Sequence, residues 1–182
     1  MSPMVVTLIG YRGTGKTSVA GPLAARLGFE AVDADTEIER RAGRSIRQIF
    51  AETGEPAFRK LERDVMSELL ARKKLVIAAG GGAVLDAATR ASIQSAGPAV
   101  WLRASVDTIE RQVAGDQATI HRRPDLTPSG GRREIEGLLA LREPIYRQCA
   151  TITVDIDGRS IAAVVEEILA GLSAGSQEAC GP

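Results

Sequence analysis

The stretch VVTLIGYRGTGKTSVA, residues 5–20, decides the fold. Its first half, Val5–Ile9, is apolar or β-branched and predicts a buried strand, whereas the residues from Lys16 onward follow a helical pattern. Between them, every fixed position of the phosphate-binding pattern G-x-x-x-x-G-K-[ST] is filled. A strand before this pattern and a helix after it form the context in which it binds nucleotide phosphates. The stretch therefore predicts a nucleotide-binding α/β domain.

The residue types of this loop suit polyphosphate chemistry. Glycines let backbone N–H groups approach phosphate oxygens, and the helix N-terminus adds partial positive charge. Lys16 can reach the β- and γ-phosphates, and Thr17 offers a hydroxyl to Mg²⁺. ATP or GTP is therefore implied. The residues expected to bind the nucleotide are Gly13, Thr14, Gly15, Lys16, Thr17 and Ser18.

Short apolar runs alternate with longer amphipathic segments along the rest of the chain. Strands are predicted at 75–79, 99–102 and 152–154, and helices at 16–27, 56–72, 87–95, 106–114, 132–148 and 161–172. This alternation predicts an α/β fold with a parallel sheet covered by helices on both faces. Ligands of such sheets gather at the carboxyl ends of the strands, so we expect the functional site there.

Composition narrows the class of protein further. The 182 residues carry 23 Lys plus Arg and 23 Asp plus Glu, so no net charge favours nucleic acid or an anionic membrane. With only six aromatic residues, the chain offers little to build a base-stacking platform for nucleic acid. The start of the chain has no basic leader, and no window is apolar for the length of a membrane span, so we expect a cytoplasmic protein. Two cysteines, Cys149 and Cys180, predict free thiols rather than a disulfide framework.

The predicted organisation is one domain over residues 1–172 with a flexible C-terminal tail at 173–182. Segment 34–62 begins with short helical patterns rich in charged residues, and it is the expected substrate-binding segment. Segment 115–131 is polar and carries two prolines and a Gly-Gly pair, which is typical of a mobile lid.

Two carboxylates, Asp33 and Asp35, follow the second strand, which we expect to lie beside the strand that precedes the phosphate-binding loop. In extended chain their side chains would point to the same side. One of them could then support the Mg²⁺ shell, to which we assign Asp33 together with Thr17, while the other accepts hydroxyl hydrogens from a substrate. A second Asp-x-Asp, Asp155 and Asp157, is interpreted as a solvated turn.

Three further features have a structural interpretation that the residues alone do not exclude. Gly80, Gly81 and Gly82 follow a strand and either let a ligand approach the backbone or form an ordinary turn. Arg59 can pair with Glu62 three residues on, as surface residues often do. Arg142 lies near Pro144 and could be solvated charge. Residue types alone leave these alternatives open.

Taken together, the motifs resemble the shikimate kinase family of P-loop enzymes over residues 5–172. The stretches that carry the resemblance are residues 10–17, 33–35, 43–46 with 49–50, 54–55 with Phe58, Arg59 and Glu62, then 80–82 and 142–146. The resemblance implies a three-layer P-loop kinase fold with five parallel strands and a mobile lid. It also implies transfer of the γ-phosphate of ATP, with Mg²⁺, to the 3-hydroxyl of shikimate in aromatic amino-acid biosynthesis.

Roles at the acceptor follow from the resemblance. Asp35 would bind the shikimate hydroxyls and help deprotonate the attacking one, Arg59 and Arg142 would clamp the carboxylate, and residues 80–82 would line the ligand. Arg12 resembles an arginine that lies near the substrate in many members. Two guanidiniums suit a carboxylate, and Asp35 would repel a phosphate, which argues against a nucleoside monophosphate as acceptor.

Roles at the nucleotide and the lid follow in the same way. Arg111 matches an arginine that packs on adenine, and Arg123 matches the lid arginine that meets the transferring phosphate, although Arg122 could take that role. With Lys16 and Asp35, Arg123 completes the expected catalytic set. The chain departs from the family at Asp125, where an apolar residue is usual, at Ile161, where a proline often flanks adenine, and in a longer lid.

Two rival functions remain open at this point. One is a kinase of the same architecture for another small metabolite, such as gluconate or a nucleotide. The other is a nucleotide-gated regulatory module that hydrolyses slowly, although such a switch needs no clamp for a small acid. We expect ATP and shikimate as partners of a monomer, with no nucleic acid and no membrane.

Overall fold

A computed structural model describes residues 4–115 and 131–178 of the chain. The strands are β1 (Val5–Ile9), β2 (Glu30–Asp33), β3 (Leu75–Ala78), β4 (Ala99–Arg103) and β5 (Ile152–Asp155). The helices are α1 (Lys16–Leu27), α2 (Ala34–Ala42), α3 (Ile46–Leu70), α4 (Ala87–Ala96), α5 (Val106–Gly115), α6 (Gly131–Cys149) and α7 (Ile161–Glu178), with a 3₁₀ turn at Ala83–Leu85.

The strands form one parallel five-stranded sheet in the order β2-β3-β1-β4-β5, which confirms the α/β prediction. The expectation that the second strand lies beside β1 is wrong, because β3 lies between them. The reason is burial. All four residues of β3 are apolar and buried, which suits the interior of a sheet, whereas β2 begins with the exposed residues Glu30 and Ala31 and suits an edge.

Alternate residues of the central strands point to two separate cores. Val5, Ile9, Leu75 and Ile77 face the layer that contains α3, α4 and α6. Their neighbours along the strands, such as Val6 and Val76, face α1 and α7. Helices thus cover both faces of the sheet, as its continuously apolar strands require.

The predicted helix at 56–72 is longer in the structure and carries a kink. α3 begins after Ser45, whose side chain and that of Gln48 form a capping box, and continues through Gly54 and Pro56. Gly54 has φ 78° and ψ 173°, a conformation that glycine adopts without a Cβ penalty, and it bends the helix before Pro56. Residues on both sides of the kink are buried in the same core, Ile46 and Ile49 before it and Phe58 and Val65 after it.

The last helix extends past the predicted boundary. α7 runs to Glu178, so residues 173–178 continue the helix instead of starting a flexible tail. Leu172 is still buried in the core with α1, and the Ser173 hydroxyl donates to the Leu169 carbonyl at 2.9 Å. Residues 173–175 are exposed on this extension of the helix.

The second Asp-x-Asp is more than a solvated turn. Asp155 ends β5 and its carboxylate accepts hydrogen bonds from Arg103, while Asp157 accepts from the backbone N–H of Ser105 at 3.1 Å, immediately before α5. Asp157 therefore satisfies a donor at the start of that helix. Cys149 is a buried free thiol, as predicted, and Cys180 lies outside the described residues. Within residues 4–115 and 131–178, no helix has the length and apolar character needed to cross a membrane.

Candidate active site

The phosphate-binding loop joins the carboxyl end of β1 to the N-terminus of α1. Gly13 and Gly15 have φ near +80°, a left-handed conformation that a side chain would oppose. Lys16 is buried, and its Nζ donates to the carbonyls of Gly10 at 2.9 Å and Tyr11 at 2.7 Å. The ammonium group is therefore held inside the concave side of the loop, where a polyphosphate would lie.

Thr17 and Asp33 meet across α1 and β2. The Thr17 hydroxyl donates to one carboxylate oxygen of Asp33 at 2.5 Å, and the other oxygen accepts from the Thr36 backbone N–H at 3.0 Å. Asp33 thereby caps α2, so the chain becomes helical at Ala34. The expectation that Asp33 and Asp35 lie on one extended segment is consequently wrong, since Asp35 occupies the first turn of a helix.

Both carboxylates nevertheless line one cavity with the phosphate-binding loop. Asp33 ends β2 and Asp35 lies in the first turn of α2, and both line this cavity. The cavity also includes the end of β3 and one residue of α5. Its lining residues are Arg12, Gly13, Gly15, Lys16, Thr17, Ser18, Asp33, Asp35, Ala78, Ala79, Gly80, Gly81 and Gln112.

In the glycine run after β3, neighbouring atoms leave little room for a side chain on Gly81 or Gly82. A Cβ on Gly82 would lie 2.6 Å from Nη1 of Arg59, and one on Gly81 would lie 3.3 Å from the backbone nitrogen of Arg12. The Gly81 carbonyl accepts a 2.6 Å hydrogen bond from the buried Tyr146 hydroxyl. The run is thus more than an ordinary turn, because Gly81 lets the phosphate-binding loop approach the backbone and Gly82 lets the Arg59 guanidinium do so.

Arg59 forms a largely buried ion pair instead of a surface one. Its Nη1 donates to Glu62 at 2.6 Å, and the Glu62 side chain is only 4% exposed. A second carboxylate, Glu55, accepts at 3.1–3.2 Å. Desolvation opposes the charge on Arg59, but these two carboxylates outweigh it and raise the pKa of the guanidinium. Arg59 therefore stays charged, and Glu55 and Glu62 hold its guanidinium beside Gly82.

Arg142 is also buried, so it is not solvated charge. Its guanidinium carbon lies 5.6 Å from the centre of the Tyr11 ring, within the range of a cation–π contact. Burial raises the pKa of the Tyr11 hydroxyl, although the charges of Arg12 and Arg142 oppose that rise. α6 thus brings a second predicted substrate arginine to the phosphate-binding loop.

Several predicted residues lie elsewhere or outside the described residues. Arg111 is exposed on α5, where it donates to the Thr108 hydroxyl at 3.4 Å, and its neighbour Gln112 is the residue of α5 that lines the cavity. Arg122, Arg123 and nearly all of the predicted lid fall between the described ranges.

Sequence reasoning missed three residues that shape the site. Glu134, in the first turn of α6, accepts from Arg12 at 3.2 Å. Tyr146 positions Gly81, and Gln112 lines the cavity. Tyr146 belongs to the quoted 142–146 stretch, so a signal for it was present. Glu134 and Gln112 lie on ordinary amphipathic helices and carry no local signal that separates them from surface residues.

The donor set near Thr17 suits a hard divalent cation. The hydroxyl of Thr17 and the carboxylate of Asp33 supply oxygen ligands, as Mg²⁺ prefers. No group of three His, Cys, Asp or Glu side chains that could hold a metal occurs in the described parts of the chain.

The phosphate-binding loop shares one cavity with two carboxylates, while Arg59 lies against Gly82 and Arg142 over the Tyr11 ring. This arrangement suits phosphoryl transfer from a nucleotide to a small acceptor. The fold and the site therefore define a kinase of the P-loop class. Within that class the chain belongs to the shikimate kinase family, whose model matches residues 12–173.

Individual relatives agree with this assignment. The chain is 39% identical over 169 residues to the shikimate kinase of Rhodopirellula baltica, covering 93% of this chain and 90% of the relative. Shikimate kinase from Acinetobacter baumannii, solved in complex with shikimate, superposes with a TM-score of 0.89 at 34% identity, covering 96% and 95% of the two chains. The Aquifex aeolicus shikimate kinase superposes with a TM-score of 0.82 at 31% identity, covering 95% and 98%.

Proposed function

We propose that this protein phosphorylates the 3-hydroxyl of shikimate with the γ-phosphate of ATP. The observation that carries the proposal is the cavity in which Asp33 and Asp35 face Lys16 and the phosphate-binding loop. A phosphoryl donor on one side and a hydroxyl-binding carboxylate on the other is the arrangement needed for in-line transfer. Membership of the shikimate kinase family supports shikimate as the acceptor.

The nucleotide is held through the loop and the start of α1. Backbone N–H groups from Gly13 to Ser18 bind phosphate oxygens at the helix N-terminus. Lys16 now donates to two loop carbonyls and would exchange them for β- and γ-phosphate oxygens. This exchange needs little movement, because the ammonium group already lies in the loop.

The acceptor is oriented by charge. Asp35 accepts hydrogen bonds from the shikimate hydroxyls and takes the proton from the attacking one. Arg59 and Arg142 bind the carboxylate, and this role is supported by their burial beside Gly82 and Tyr11. Gly80, Gly81 and Gly82 present backbone, so the ring can approach closely.

Mg²⁺ is the proposed cofactor, with Thr17 and Asp33 as the residues that would hold it. When bound, the ion neutralises negative charge on the phosphate oxygens. Arg123 is proposed to stabilise charge on the transferring group, and Arg111 to pack on adenine. A cytoplasmic, monomeric protein stays a prediction from the sequence.

A gluconate kinase has a related architecture and is the natural competitor. A gluconokinase from Sinorhizobium meliloti superposes with a TM-score of 0.63 at 18% identity, covering 97% and 95% of the two chains, a likeness that shows the fold alone. Both acceptors are carboxylated polyols, so the cavity chemistry by itself does not separate them. The family match favours shikimate.

The test is coupled ADP release with ATP, Mg²⁺ and purified protein. Shikimate, quinate, gluconate and no acceptor are compared side by side. We expect a large rate that depends on shikimate, with gluconate close to the background. The same slow rate with every acceptor would leave the nucleotide site intact and remove the shikimate assignment.

A further inference from the structure

Arg12 and Glu134 form an ion pair between segments that are 122 positions apart in the sequence. Arg12 belongs to the phosphate-binding loop, and Glu134 to the first turn of α6. The Glu134 side chain is 0% exposed and the Arg12 side chain 13% exposed, with Nη2 and Oε1 3.2 Å apart. Burial of a carboxylate is unfavourable unless a cation compensates it, so the pair calls for a functional explanation.

The pair is one of three contacts through which α6 holds the loop. The Tyr11 ring packs with Ile135 and Leu139 in a small apolar cluster. The Arg142 guanidinium lies over the same ring. Glu134 accepts a hydrogen bond from the guanidinium of the next loop residue, Arg12. One helix therefore orients two consecutive loop side chains and one proposed substrate arginine.

The position of Arg12 in the cavity gives the pair a consequence. Arg12 lines the cavity together with Asp33 and Asp35, and its backbone nitrogen lies close to Gly81 at the acceptor side. A guanidinium without a fixed partner would be attracted to these two carboxylates. Such a pairing would occupy the groups that the acceptor hydroxyls and Mg²⁺ need.

We propose that Glu134 is a positioning residue that sets the affinity for the acceptor by holding Arg12 on the α6 side of the cavity. In this position the guanidinium faces the carboxylate of the acceptor and leaves Asp33 and Asp35 available. The inference rests on the proposed function, since it concerns how the same cavity binds shikimate. Glu134 acts through Arg12 and touches neither substrate.

The first measurement is the steady-state KM for shikimate and for ATP in Glu134→Gln. Glutamine keeps an oxygen that can accept from Arg12 but removes the negative charge, so the fold is preserved while the restraint on the guanidinium weakens. We expect the KM for shikimate to rise at least fivefold, with less than a twofold change in the KM for ATP. Glu136→Gln is the matched control, because Glu136 lies on the same helix, is exposed and pairs with Arg132.

A double-mutant cycle separates positioning from a general structural role. In an Arg12→Ala background, Glu134→Gln should add no further rise in the KM for shikimate, because there is no guanidinium left to position. The double variant also removes the buried unpaired carboxylate that Arg12→Ala alone would leave. The cycle therefore stays interpretable if the single Arg12 variant is unstable.

Each outcome decides a different question. A wild-type protein with no shikimate-dependent rate refutes the proposed function before the variants are compared. With an active wild type, an unchanged shikimate KM in Glu134→Gln refutes the positioning role. Equal effects of Glu134→Gln with and without Arg12, or equal rises in the KM values for shikimate and ATP, also refute it.

Discussion

Gly82→Ala tests how the glycine run orients Arg59. The backbone at Gly82 has φ −103°, which alanine adopts freely, so the substitution acts through its Cβ and not through backbone strain. That Cβ would lie 2.6 Å from Nη1 and 2.9 Å from Nη2 of Arg59, against an ordinary contact of 3.4–4 Å. The guanidinium must therefore move by about 1 Å, beyond the range that preserves a good hydrogen-bond geometry.

The size of the effect follows from the bond that is disturbed. Arg59 donates to Glu62 at 2.6 Å, and a charge-assisted bond of this kind contributes about 1.5–3 kcal/mol. If that orientation is needed to bind the shikimate carboxylate, kcat/KM for shikimate should fall about 10- to 100-fold, since 1.4 kcal/mol corresponds to a factor of ten. The fold should survive, because the displaced group is the end of a flexible side chain.

The assay is coupled ADP release at varied shikimate, together with thermal unfolding. Gly137→Ala on α6 is the matched control, because a Cβ there meets no atom within 4 Å. In an Arg59→Ala background, Gly82→Ala should have little further effect. An unchanged kcat/KM for shikimate in Gly82→Ala, or an equal loss in the absence of Arg59, would refute the reasoning.

Other perturbations probe the remaining parts of the site. Lys16→Ala should fold normally and lose nucleotide-dependent turnover, and circular dichroism with the coupled assay checks both; retained activity would contradict the role of Lys16. Tyr146→Phe removes the 2.6 Å bond to the Gly81 carbonyl and should lower the free energy of unfolding by about 1–3 kcal/mol in urea titrations. Arg123→Ala should lower kcat far more than Arg122→Ala in the same assay, and the reverse order would identify Arg122 as the lid arginine.

The α/β class and the phosphate-binding loop could be predicted because their signals are local. The structure has β1 at Val5–Ile9 and α1 at Lys16–Leu27, the predicted bounds, since strand and helix periodicity and the glycine pattern lie within a short window. β3, β4 and β5 begin where predicted, and their ends differ from the predicted ends by one residue. Helix ends are predicted less well: α7 runs past its predicted end to Glu178, through exposed residues such as Ser173, and a helix end carries a weaker sequence signal than a helix interior.

The pairing of Arg59 with Glu62 could also be predicted from the sequence, because residues three apart share a helix face. The burial of this pair could not be predicted, since it depends on which other segments pack against the helix. The same limit applies to Asp33 and Asp35. Their spacing predicted that the two carboxylates would share a site, and they do line one cavity. The predicted extended geometry was wrong, because Asp33 caps α2 and Asp35 lies in the first turn of that helix.

The sequence by itself determined a nucleotide-binding loop at the end of a strand and the alternation of strands and helices. It also determined the residue types that suit a kinase whose acceptor is a small carboxylic acid. Only the tertiary structure decided the order of the strands, the approach of Gly82 to Arg59 and the buried pair of Arg12 with Glu134. The physical reason is distance along the chain. Local patterns report backbone preferences within a few residues, whereas these contacts arise where segments far apart in sequence compete for the same buried space.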